Sequence, residues 1–488
     1  MLFNSIQFLI FFPAVVILFW ILPSRWKNPM LLIASYYFYM NWQPAFGLLL
    51  LISTLATWGG ALLIDRWRES DPRRSRIAFR TTLIFNLAML FVFKYLQFVG
   101  DEIRNLLFSL GVGIEIPEFT ILLPVGISFF IFQAVGYLID VRRATIAPER
   151  NLGIFALFIA FFPQLVAGPI ERAANMLPQF HRRPRFSFDA LMAGLELMAL
   201  GYFMKIVVAE NISEYVDSVY LDVNHHNGTT ILLATFFFCF QIFADFGGYS
   251  LIAIGAARCM DFRLTQNFRQ PYLATSVRDF WRRWHVSLSR WLSDYVYIPL
   301  GGNRVRPARH YLNIFLTLFL SGVWHGADYT FMAWGAYHGS LQCLQAAWHK
   351  HSKFSLPDNM LTRSLKIAWT FFLVLLGRVF FRADNISDAM IAFKKIFTEP
   401  GIPDTGTGKI YLCELFLFII MLMAIEIRNE YFDRHPLPTT SDPTRPPEMS
   451  AVLSRRSVAH SALFLAMITS VLLIFGNFSG NAFIYFQF

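Results

Sequence analysis

Charge is scarce in this sequence: 15% of its 488 residues are Asp, Glu, Lys or Arg, against 56% that are apolar. A soluble chain of this length draws roughly a quarter of its residues from the charged set to cover its surface. A soluble globular protein is therefore excluded. What the chain has instead is long apolar runs, repeated from one end to the other. A bilayer core about 30 Å thick is crossed by roughly 20 apolar residues in helical conformation, and the runs approach that length. Phe (53) and Trp (12) strengthen the membrane reading, because aromatic rings pack in lipid and anchor at its interfaces.

Cysteine is equally sparse. Cys239, Cys259, Cys343 and Cys413 are dispersed through or beside apolar runs, with no spacing typical of a metal site or a disulfide framework. Packing thiols are expected, and no metal. No Lys or Arg precedes the first apolar run, Ile6 to Leu22, and no small-residue cleavage site follows it. It therefore reads as a first helix and not as a cleaved signal peptide. The formal net charge of +10 resides in short loops between apolar runs. The positive-inside rule and anionic headgroups account for that placement, so membrane lipid is the expected partner and nucleic acid is not.

Following the charges along the chain assigns sides. A loop read over Asp65–Arg80 carries six arginines and falls in the cytoplasm, which puts the uncharged turn Asn41–Pro44 outside. The run Leu152–Val166 has basic residues beyond both ends and is interrupted at Pro163, with Gly168 and Pro169 close behind. A re-entrant hairpin fits that pattern, with an ordinary crossing as the alternative. Phe188–Val208 leads outward to an acidic loop with Glu210, Glu214, Asp217 and Asp222. Residues 258–310 are too polar to span throughout and read as cytoplasmic-side amphipathic helices partly sunk into the protein. Residues 428–457 read as a cytoplasmic linker rich in Pro and charge, and 477–488 as an extracytoplasmic aromatic tail. The expected fold is one all-α domain over 1–488, with about 12 crossings and both termini outside.

Histidine at membrane depth is the most informative feature, because ionisable groups there are costly and tend to mark pathways or catalysis. His325 stands in Ser321–Asp328 (SGVWHGAD), between two apolar runs and beside glycines that allow close backbone approach. Neutral imidazole takes a proton from a hydroxyl as general base; from position alone a structural histidine fits as well. Upstream lies Asp279–Trp291 (DFWRRWHVSLSRW). A helix through it would put Trp281, His285 and Leu288 on one face, with Arg282 and Arg283 elsewhere. Arginines and tryptophans of this kind, Trp281 and Trp284 among them, suit a phosphate-bearing acyl donor with an adenine to stack. They suit equally an interfacial helix that meets lipid phosphates.

Phe280–Asp294 (FWRRWHVSLSRWLSD), Tyr295–Asn303 (YVYIPLGGN) and Ser321–Asp328 resemble the defining motifs of the membrane-bound O-acyltransferase family, in particular its bacterial alginate and peptidoglycan O-acetyltransferase branch. Leu123–Phe129 (LPVGISF), Phe161–Pro169 (FFPQLVAGP), Phe243–Ser250 (FADFGGYS) and Phe483–Phe488 (FIYFQF) extend the resemblance over essentially the whole chain. It implies a helical bundle around a tunnel, with His325 as the catalytic histidine and His285 as the second signature residue. In many eukaryotic members that second position is Asn or Asp. It also implies acetyl-CoA as donor substrate with no permanently bound cofactor, and an exported polysaccharide as acceptor. Trp281, Arg282, Arg283, Trp284 and Trp324 become the expected substrate-binding residues. A periplasmic SGNH-type acetyltransferase is the expected partner, and the bacterial inner membrane the location. D-alanyl transfer to teichoic acid is the neighbouring reading; a polysaccharide flippase, which would need paired charges within the crossings, is the reading from another class. Tyr485 is the one hydroxyl in Phe483–Phe488 and is expected either to carry the acyl group or to belong to an aromatic anchor.

Overall fold

Polar residues that cap helices recur at the boundaries of the apolar runs, and the structure, a computed structural model, uses them. Ser5 accepts from Phe8 N, Asn151 from Gly153 N and Ile154 N, Ser187 from Ala190 N, and Asn227 from Thr230 N. Each satisfies backbone donors that a helix start leaves open. The structure describes all residues except 113–116, 118–120, 353–356, 358, 406–407, 435–457, 479–482 and 484–488. Among the described residues every regular element is a helix. Among these residues five helical stretches are long and apolar enough to cross a membrane: Pro44–Arg66, Pro72–Lys94, Phe188–Tyr220, Gly228–Arg258 and Met360–Arg382. The chain divides into two units, Met1–Phe186 with Met260–Thr265, and Ser187–Cys259 with Gln266–Phe488.

The first unit holds α1 (Ile6–Ile21), α2 (Ser24–Met40), α3 (Pro44–Arg66), α4 (Pro72–Lys94), α5 (Leu96–Ser109), α6 (Ile127–Arg142), α7 (Leu152–Ala160), α8 (Phe162–Leu165) and α9 (Ala173–His181). The arginines expected in a long loop over 65–80 are mostly helical. Asp71 caps α4 with Pro72 in its first turn, so the connection is only a few residues long. Buried polar side chains join α3 to α4: Ser53 donates to Asn86 Oδ1 over 2.8 Å, and Asn86 Nδ2 to Thr57 over 3.1 Å. The run Leu152–Val166 breaks at Phe161, where the backbone turns extended (φ −52°, ψ 110°) before Pro163.

The second unit continues with α10 (Phe188–Tyr202), α11 (Glu210–Tyr220), α12 (Gly228–Arg258), α13 (Val277–Arg283), α14 (Val286–Leu292), α15 (Pro307–His325), α16 (Tyr329–His351), α17 (Met360–Arg382), α18 (Ile386–Thr398), α19 (Lys409–Arg434) and α20 (Val458–Phe475). The acidic loop expected after Val208 is helix. A π-helical stretch, Phe203–Ala209, carries the chain from α10 directly into α11, which places Glu210, Glu214 and Asp217 on helix. The reason is internal pairing: Lys205 Nζ, in the widened turn, lies 2.7 Å from Asp245 and 3.3 Å from Glu210, all three buried. Of the cysteines, Cys239 and Cys259 are buried, Cys343 is half-buried and Cys413 is exposed, so packing is the role of only part of the set.

α12, 31 residues long and buried along most of its length, is the central post of this unit. Its seam with α10 is made of glycines. A Cβ on Gly201 would stand 2.6 Å from the Gly248 carbonyl oxygen, and one on Gly248 equally close to that of Gly201. Small residues let two membrane helices approach until their backbones touch. Gly248→Val should separate α10 from α12 and lower the melting temperature in detergent by several degrees or more; a variant that melts like the wild type would show that the seam tolerates side chains.

Candidate active site

The site begins with a backbone irregularity. α13 ends at Arg283 and α14 begins at Val286, and between them His285 adopts a left-handed conformation (φ 43°, ψ 55°). A side chain in this region is held against its preference. The hold is supplied by buried Asn267, whose carbonyl accepts from Val286 N at 2.9 Å, while its Oδ1 accepts from Ser287 N at 3.3 Å. Its amide donates in turn to Ser250 on α12, also at 3.3 Å. Arg269 N, donating to the Arg283 carbonyl over 2.9 Å, pins the preceding residue. The single helix that would align Trp281, His285 and Leu288 is thereby broken. The kink turns the His285 imidazole inward to complete burial against Phe246, with ring centroids 4.7 Å apart.

His325 arrives from the other side as the last residue of α15. Gly326 follows it, and a Cβ there would lie 2.1 Å from the Phe331 ring. That contact fixes the turn into α16, whose first turn Asp328 caps by accepting from Thr330 N. A second close approach, with a Cβ on Gly322 coming within 2.3 Å of the Phe331 carbonyl oxygen, clamps α15 onto α16. His325 is thus delivered, 3% exposed, into a box of rings: Trp324 at 5.0 Å, Trp334 at 5.0 Å and Phe381 at 5.4 Å. The His285 and His325 rings are 6.4 Å apart, with Trp324 against both.

Of the residues singled out in the sequence, Trp281, Trp284, His285, Trp324 and His325 converge here. The arginines between them do not. Arg282 is exposed, and Arg283 turns away to Asp279 at 3.0 Å and Glu430 at 2.7 Å, with Arg363 on the other oxygen of Glu430. Tyr485 lies outside the described residues. Phe483, two residues earlier, is described: it packs on Phe246 at 5.8 Å and Tyr249 at 4.8 Å, with Lys205 Nζ 5.9 Å from its ring centroid.

Two residues were missed in the sequence. His338 is buried on α16 between Trp334 (5.0 Å) and Trp281 (5.2 Å), and its Nδ1 has no hydrogen-bond partner among the described residues. The (i, i+4) spacing of Trp334 and His338 was the available signal. Arg378, on α17, is 1% exposed, and no signal in the sequence tied it to Trp284, almost a hundred positions earlier.

The chemistry available follows from burial. Desolvation holds the His285 imidazole down to about 3, so it is neutral at physiological pH. His325 closes α15, with its ring among Trp324, Trp334 and Phe381. A neutral imidazole so placed, screened from water, is equipped to deprotonate a hydroxyl as it attacks a carbonyl carbon.

Comparison with known proteins identifies the family. The family model for the membrane-bound O-acyltransferase family matches residues 150–381, a range that includes His285 and His325. A Pseudomonas putida protein named "Probable alginate O-acetylase AlgI" is 34% identical, over the whole of both chains. The peptidoglycan O-acetyltransferase of Helicobacter pylori is 32% identical over 85% of this chain and 82% of its own. The teichoic acid D-alanyltransferase of Bacillus subtilis is 29% identical, over 54% of this chain and 69% of its own. The chain belongs to the membrane-bound O-acyltransferase family. It is a multi-pass membrane acyltransferase of the bacterial O-acetylating branch.

An unfolded-state histidine titrates near 6.5, whereas His285 in the folded chain stays neutral to about 3. Protons therefore bind preferentially to the unfolded state as the pH falls below about 6.5, and stability declines toward pH 4. His285→Gln, which removes that proton site, should flatten this acid limb in a series of detergent melts; an unchanged slope would contradict a buried neutral imidazole.

Proposed function

We propose that this chain moves an acetyl group from cytoplasmic acetyl-CoA through the bacterial inner membrane toward a hydroxyl of an exported polysaccharide. The observation that carries the reading is the pair of buried histidines, 6.4 Å apart, enclosed by Trp324, Trp334, Phe246 and Phe381. His325 is the general base. His285, held neutral and left-handed, donates to or orients the acyl carbonyl. The basic segment 258–310, with Arg282 at its surface, faces the cytoplasm and meets the phosphates of the donor. The charge pattern supports about 12 crossings with both termini periplasmic, and the break at Phe161 supports a re-entrant hairpin.

The names carried by the full-length relatives, alginate and peptidoglycan acetylases, support an acetyl group and a cell-envelope or extracellular glycan. The lower coverage of the teichoic acid D-alanyltransferase makes D-alanyl transfer the second reading. Delivery to the polymer is by a periplasmic partner of the SGNH type, with Tyr485 taking the acetyl group first. In that step the Tyr485 oxygen forms the new ester bond, the carbon–sulfur bond of the donor breaks, and the phenolic proton passes to His325 and then to the departing thiolate. The position of Phe483, two residues earlier in the sequence, supports it: its ring lies on Phe246, which lies on His285.

His325→Ala should abolish polymer acetylation while expression, membrane insertion and melting stay normal; acetylation near the wild-type level would refute the general base. Tyr485→Phe keeps the ring and removes only the oxygen. It should stop acetylation as completely, and wild-type acetylation of the polymer by this variant would make the tail an anchor alone.

A further inference from the structure

Arg378 is the one residue of the aromatic box whose charge the preceding chemistry does not use. It sits within α17, on a stretch apolar enough to cross a membrane, and is 1% exposed. Its guanidinium carbon stands 4.2 Å from the ring centroid of Trp284 and 5.7 Å from that of Phe381. The Tyr272 hydroxyl lies beside it, and that hydroxyl already donates to the Cys239 carbonyl. Its Nε has no hydrogen-bond partner, and no carboxylate pairs with it among the described residues. The other buried cation of the unit, Lys205, lies between Asp245 and Glu210.

A guanidinium buried on ring faces without an anion is a costly arrangement. Replacing such a charge by a well-packed apolar side chain is commonly neutral or stabilising, so fold stability does not account for it. What Arg378 shares with the reacting centre is Phe381, three residues further along the same helix, whose ring is 5.4 Å from that of His325. If the segment 258–310 faces the cytoplasm, alternation makes α15 an outward crossing, α16 an inward one and α17 an outward one, so Arg378 lies about one helical turn, roughly 4.5 Å along the axis, to the donor side of that ring.

We propose that Arg378 stabilises the thiolate that leaves the acyl donor. The proposal rests on acetyl-CoA as donor and on His325 as base. As the acceptor oxygen attacks, His325 takes its proton, the carbon–oxygen bond forms, the carbon–sulfur bond breaks, and negative charge collects on sulfur. A buried, ring-lined guanidinium that the Tyr272 hydroxyl holds in place, with its Nε open and no carboxylate on it among the described residues, is already oriented for that charge, whereas water would have to reorganise around it. The histidinium then returns the proton to sulfur, and neutral thiol departs toward the cytoplasm. Arg378 is in this sense a catalytic residue for the donor half of the reaction, matched to an anionic chalcogen leaving group.

The test uses inverted membrane vesicles that carry the full chain and the cell's own envelope polymer, with vesicles of His325→Ala as the background. Release of the leaving group is followed for acetyl-CoA and for its seleno analogue, whose selenol is the stronger acid and leaves with less need of help. Arg378→Met should lower kcat for acetyl-CoA by about 10²–10³-fold, with KM within about threefold and with melting unchanged or raised. The same variant should lose less than about tenfold with the seleno donor, and Arg378→Lys should show the same donor dependence with a smaller loss. Equal losses with both donors, a change in KM alone, or wild-type kcat in Arg378→Met would overturn the proposal. Should Arg378→Met fail to fold, Arg378→Lys decides between the same outcomes. Wild-type vesicles that release no thiol from acetyl-CoA would overturn the donor reading itself, and this proposal with it.

Discussion

Asn267 makes three contacts with one residue's worth of polar atoms, and the site depends on them. Its carbonyl and side-chain oxygen receive the amides that follow His285, and its side-chain amide reaches Ser250 on the central helix. Two backbone donors at a helix start would otherwise be buried without partners, at a cost of about 1–3 kcal/mol each. Because those donors can be met only from where Asn267 stands, the kink between α13 and α14 has one position. With that position set, Trp284 and His285 project into the protein while Arg282 stays outside. The placement of the histidine pair therefore depends on an asparagine outside the pair itself.

Around this kink the protein handles polarity in two ways. Where it buries charge for structure, it pairs it: Lys205 lies between two carboxylates, and Glu430 receives both Arg283 and Arg363. Other buried polar groups lie against π-faces instead. His285, His325, His338 and Arg378 each lie against aromatic rings. Rings exclude water and offer a weakly attractive face to a cation without neutralising it.

Much of the site was legible in the residues because its parts are local in sequence. The motif around His285 and the one around His325 each state their own histidine, tryptophan and glycine content, and the apolar runs announce helices wherever they are long. What escaped was set by distant partners. Periodicity favoured a continuous helix through Trp281 and Leu288, and only Asn267, on a neighbouring segment, overrides it. The acidic residues after Val208 read as a loop because charge ends apolar runs, yet the pairing of Lys205 with Asp245 and Glu210 carries the helix through. Arg283 looked free to meet a phosphate, and its actual partner, Glu430, stands 147 residues later. Arg378 was hidden in an apolar run whose average composition conceals a single charge.

The left-handed backbone at His285 also constrains what evolution can place there. Only a few residues besides glycine enter that region with little penalty, chiefly Asn, Asp and His, whose short polar groups relieve it locally. Those are the residues that the resemblance to the family implies for the second signature position. Interchange among a carboxylate, an amide and an imidazole makes little sense if the position is selected for proton affinity, since the three differ widely in it. It makes sense if the first filter is torsional and the second is a polar tip that reaches the acyl group. The diversity of the family at this position would then record a tolerance of the main chain, over which each lineage has fitted its own donor or acceptor.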